Sequence, residues 1–73
     1  MSLRQLRENK NLRTVDVASY VGVGESTVRN WEKGRTVPTL SIYQISKLLE
    51  LYSCNFEDLR KAVDETQISV TPR

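Results

Sequence analysis

The chain has 73 residues, enough for one small domain. A domain of this size buries only about 60% of the surface that its unfolded chain exposes, which leaves little room for a large enclosed active site. Hydrophobic residues make up 38% and charged residues 27%, a balance that suits a soluble globular fold and excludes a disordered tail. There is no His, and Cys54 is the one cysteine. His-based triads, a disulfide within the chain and Cys/His zinc clusters are therefore excluded. Cys54 reads as a small apolar filler in a reducing, cytoplasmic setting. The opening MSLRQLRENK has no apolar signal segment, and no apolar run approaches the length of a membrane span. The net charge of +2 is uneven along the chain. Residues 1–38 hold seven basic and four acidic side chains, a net of +3, and residues 39–73 hold four and five, a net of −1. The partner-binding face is expected in the basic half.

Helical spacing dominates the chain. Ser2 is expected to cap a first helix with Leu3 and Leu6 inward, ending over Asn9 to Asn11. A second helix starts at Arg13 or Thr14 and buries Val17, Ala18 and Val21. Gly22, able to take positive φ, stops it. A third helix runs from about Glu25 to Lys33 with Val28 and Trp31 as its apolar pair, and Gly34 ends it. Val37 before Pro38 disfavours helix, so residues 35–38 form a loop. Thr39 is expected to cap a fourth helix with Leu40, Tyr43, Ile45, Leu48, Leu49 and Tyr52 inward. Asn55 caps a fifth, whose stripe is Phe56, Leu59 and Val63. Residues 64–73 read as a polar, frayed C-terminal tail, so the expected organisation is a domain over 1–63 followed by that tail. Each helix is too short to be stable alone, so the five must share one core, drawn from Leu3, Leu6, Leu12, Val17, Ala18, Val21, Val28, Trp31, Leu40, Ile45, Leu48, Leu49, Phe56 and Leu59.

Residues 12–38 carry the most information. Two short helices flank a tight Gly-containing connection, with Ala18 where crossing helices need a small residue and Gly22 where the turn needs unusual φ. Around them, Asn11-Leu12, Val17-Ala18, Val21-Gly22-Val23, Ser26-Thr27-Val28, Asn30-Trp31-Glu32-Lys33-Gly34 and Pro38 stand at characteristic offsets. Over roughly residues 3–63 this pattern resembles the Cro/phage-repressor helix-turn-helix family, also called the xenobiotic-response-element family. The resemblance implies an all-α, five-helix, lambda-repressor-like domain that binds double-stranded DNA. Two departures stand out. Arg13 and Thr14 occupy positions where the family often has Ser/Thr then Gln, and Gly24 stands where Ser/Thr often caps the third helix.

Helix geometry sharpens the third helix. At about 100° per residue, Ser26, Arg29, Asn30 and Lys33 lie opposite Val28 and Trp31, with Glu25 at the edge of that outward face. The family's base-reading positions map onto Glu25, Ser26, Arg29 and Asn30. Arg pairs with guanine, Asn with adenine and Glu with the cytosine amino group in the major groove. Most surface helices have a polar outer face; position within a helix-turn-helix unit, ahead of a basic loop, distinguishes this one. Flanking phosphate contacts are expected from Arg13, Thr14, Thr27, Lys33, Arg35 and Thr36. By resemblance, Glu32 pairs structurally with Arg7.

The expected function is sequence-specific binding of double-stranded DNA by a small cytoplasmic regulator of repressor type. One recognition helix per chain implies a homodimer, at least on DNA, on a (pseudo)palindromic operator, joined through the fifth helix or the Ile68/Val70 segment. The alternative is a protein-binding module, such as an antitoxin or the adaptor of a larger regulator. No enzyme, cofactor or metal is expected, since Ser26, Thr27 and Cys54 have no His to activate them.

Overall fold

The structure, a computed structural model, describes residues 1–70, with side chains through Gln67. The described residues form five helices and no strand: α1 (Leu3–Asn9), α2 (Thr14–Val21), α3 (Glu25–Glu32), α4 (Ile42–Tyr52) and α5 (Phe56–Val70). α2 packs on both α3 and α4, while α1 packs on α5 and α3. The core they share holds Leu3, Val17, Ala18, Val21, Val28, Trp31, Leu48, Tyr52, Leu59 and Ala62, all buried.

Local chemistry sets the ends of α1, α2 and α3. The Ser2 hydroxyl accepts from the Gln5 N–H, and the Gln5 side chain accepts from the Ser2 N–H, a reciprocal box that satisfies two otherwise unpaired donors of α1. α2 ends at Gly22, whose φ of 87° is a left-handed conformation that other residues adopt only with strain. Beyond its own chain neighbours, no atom lies within 4 Å of where a Gly22 side chain would begin, so backbone conformation and not space demands glycine there. α3 ends in a Schellman turn: the Arg35 N–H donates to the Asn30 carbonyl and the Gly34 N–H to the Trp31 carbonyl, with Gly34 at positive φ.

The structure departs from the sequence reading in α4 and α5. α4 is capped by Ser41, not Thr39. Ser41 and Gln44 complete a capping box, whereas the residue three beyond Thr39 is Ile42, which has no side-chain acceptor. Tyr43, expected inward, is 79% exposed. It falls on the side of α4 opposite Leu48 and Tyr52 at about 100° per residue. Phe56, also expected inward, is 56% exposed at the first position of α5.

α5 itself runs on to Val70, so the stretch read as a frayed tail after Val63 is helical that far. Its buried row is Leu59, which belongs to the expected stripe, with Ala62 and Thr66, which the apolar pattern alone did not mark. The buried Thr66 hydroxyl accepts from the Leu3 N–H at 2.9 Å and donates to the Ala62 carbonyl at 2.8 Å. It thereby satisfies a first-turn donor of α1 that has no partner within its own helix. The Ile68 and Val70 side chains, named for a dimer contact, lie outside the described residues.

Candidate nucleic-acid interface

Three residues, Gly22 to Gly24, connect α2 to α3. The N–H groups of Gly22 and Val23 both donate to the Ala18 carbonyl, which closes the turn tightly over the small Ala18. Val28 and Trp31 anchor α3 in the core. The opposite side is open: Ser26, Arg29 and Lys33 are exposed, while Asn30, Glu25 and Thr27 are half-buried. Arg35 and Thr36 are exposed in the loop that follows, where the Schellman turn fixes the Arg35 backbone directly beyond the helix.

A tight turn of this form between two short packed helices, the second anchored inward and polar outward, is a helix-turn-helix unit. A family model for the helix-turn-helix domain matches residues 2–63. The chain belongs to that family. The match is consistent with the Cro-type resemblance, and a helix-turn-helix domain points to DNA as partner. Domains of this family are typically binding modules and not enzymes. No curated protein and no solved structure matches the chain. Among the described residues, no helix is long and apolar enough to cross a membrane, and no cluster of acidic or sulfur ligands suits a metal ion.

Several of the expected contact residues meet on one flank of the helix-turn-helix unit. Thr14, Arg29 and Lys33 line a shallow depression together with Arg4, Arg7 and Glu32. Two of these lining residues also meet on Glu25, whose carboxylate accepts from Arg29 Nη2 and from Thr14 Oγ1, each at 2.8 Å. Arg13 stands apart from this group. It is exposed and turned to Asp16, which accepts from both its guanidinium and its backbone N–H. That guanidinium holds the Asp16 carboxyl below the ordinary aspartate range. The backbone contact lets Asp16 serve the N-terminus of α2 from its third helical position, where the Arg13 side chain has no acceptor to offer.

Arg7 and Glu32 form a two-pronged pair, Nε to Oε2 at 2.6 Å and Nη2 to Oε1 at 3.0 Å. A third donor, Nη1, reaches the Leu12 carbonyl at 2.9 Å. The side chains are only 13% and 8% exposed. The bond to Glu32 holds the Arg7 guanidinium above its ordinary value, against the opposing effect of burial. Burial also pushes the nearby Tyr52 phenol up, with the Glu32 charge adding to it. This pair ties α1 to the last residue of α3 and so fixes the tilt of the helix whose outer face is free.

Two features were not found by sequence reasoning. Arg4 brings a further cation to the rim of the depression; its signal was the three-residue spacing from Arg7 on α1, which puts both on one face. The second is the convergence of Thr14 and Arg29 on Glu25. The Glu25–Arg29 half was legible as an i,i+4 pair, but the Thr14 half needs α2 and α3 to cross.

Proposed function

We propose that this chain is a sequence-specific double-stranded DNA-binding regulator of repressor type that lays α3 in the major groove. The observation that carries the reading is the polar outer face of α3, with Ser26, Arg29 and Asn30, standing free on a helix anchored from behind by Val28, Trp31 and the Arg7–Glu32 pair. Ser26, Arg29 and Asn30 read base edges, and Glu25 borders them. Thr27, Lys33, Arg35, Thr36 and Arg13 contact phosphates through their side chains and Thr14 through its backbone N–H at the start of α2, and Arg4 joins them from the depression. These contacts set register and affinity and carry little sequence information.

A single recognition helix reads only a half-site, so the working form is a homodimer on a (pseudo)palindromic operator. We assign the dimer surface to the apolar groove lined by Val37, Pro38, Leu40, Ile45, Phe56 and Val63. Val37 and Phe56 are exposed there. None of the base-reading residues lines this groove, so a second copy seated on it leaves the outer face of α3 free. The setting is cytoplasmic, where DNA and a reduced Cys54 coexist.

Selection of bound sites from a random duplex library tests the reading directly. The expected result is two inverted half-sites with centres about one helical turn apart, roughly 10–10.5 bp. Phe56→Asp should leave half-site preference intact and abolish the paired spacing. If no sequence is enriched and a stoichiometric protein partner co-purifies, the alternative, an antitoxin or adaptor module, replaces this reading.

A further inference from the structure

Glu25 was matched by resemblance to a base-reading position, yet its contacts point elsewhere. One oxygen, Oε2, accepts from Arg29 one turn further along α3 and from Thr14 at the start of α2. The carboxylate is thus held from two elements, and the Thr14 bond is half-buried. An exposed i,i+4 ion pair alone is a weak and mobile contact. Anchoring its carboxylate to a second helix removes much of that mobility. Arg29 is 54% exposed, so its remaining donors face solvent.

An arginine carries five N–H donors, and giving one to Glu25 leaves enough for both acceptors of a guanine edge. A free arginine must be ordered from many rotamers as it binds, which opposes association. One already fixed loses less. A carboxylate beside the groove also repels phosphates, which penalises binding to DNA that offers Arg29 no compensating base contact. We propose that Glu25 is a positioning residue: it braces Arg29 against α2 for a guanine edge, sharpens preference at that one base pair, and reads no base itself. The inference rests on the DNA-binding reading and assigns the division of labour within it.

The test is selection from a random duplex library with the unsubstituted chain, Glu25→Gln, Arg29→Ala and the double variant, alongside the melting temperature of each. Arg29→Ala should erase preference at one base pair per half-site, a loss of about 5- to 150-fold for a bidentate contact. Glu25→Gln should weaken preference at that same base pair by about three-fold or more and leave other positions unchanged. The double variant should match Arg29→Ala. Glu25→Gln should also bind random duplex more tightly than the unsubstituted chain. Melting temperatures should agree within about 4 °C, as for exposed substitutions. Should Arg29→Ala melt earlier than that, Arg29→Lys keeps the charge, removes the fork and replaces it in the series. Altered preference at a different base pair from Arg29 would mean that Glu25 reads a base, and the proposal falls. A Glu25→Gln profile identical to the unsubstituted one also overturns it. Failure of the unsubstituted chain to enrich any site overturns the DNA-binding reading, and this inference with it.

Discussion

Glu32, the last residue of α3, and Glu25, its first, each hold an arginine. The Glu32 pair is almost out of water, two-pronged, and joins residues 25 apart in the chain. The Glu25 pair is 37% and 54% exposed, single-pronged, and joins residues four apart on one helix. The same two chemical groups therefore do unlike work. Where water is excluded, an unpaired charge is intolerable, so the pair locks α1 to α3. Where water is present, the pair contributes little to folding, and the arginine keeps further donors open to a ligand. A binding helix needs both kinds: a fixed end that sets its tilt and an open end whose polar groups are available.

The largest effect that can break this contrast is on stability. Glu32→Ala leaves the Arg7 charge buried without its partner and should cost about 3–5 kcal/mol. That corresponds to a fall in melting temperature of about 12 °C or more. Glu25→Ala should stay within about 0.5 kcal/mol by the same thermal melt. Equal losses for the two would show that exposure is not what separates them.

A smaller effect sharpens the contrast on the binding side. Arg35→Ala, beyond the fixed end of α3, should weaken all DNA sequences about equally and lower the salt slope by about 1. Arg29→Ala, near the open end, should change sequence preference instead. Binding to specific and random duplexes over a range of salt concentrations separates the two outcomes.

The smallest expected effect concerns the N-cap of α3. Gly24 has an ordinary extended conformation and makes no side-chain cap. A side chain there would meet Thr27 Oγ1 at 3.7 Å and Ser26 Oγ at 3.9 Å, both normal contacts. Gly24→Ser should therefore stabilise the chain by a few tenths of a kcal/mol, about 2 °C in melting temperature. A loss of stability would show that the open end tolerates less change than its exposure suggests.

The sequence by itself determined the local rules. Ser2, Gly22, Gly34 and Asn55 punctuate the helices through hydroxyl or amide capping and positive φ, and such chemistry acts over a few residues. The inward row of α2 and α3 and the exposed Ser26, Arg29 and Lys33 follow from helical period alone. Tertiary structure decided what period and capping leave ambiguous. The start of α4 is the exception and is itself local: Ser41 prevails over Thr39 because Gln44, three residues on, completes its box. α5 extends past its apolar stripe because it packs on α1 through the small Ala62 and the hydrogen-bonding Thr66, neither of which a hydrophobic pattern detects. The role of Glu25 likewise depends on Thr14, eleven residues away in the chain and brought within 2.8 Å only by the crossing of α2 and α3.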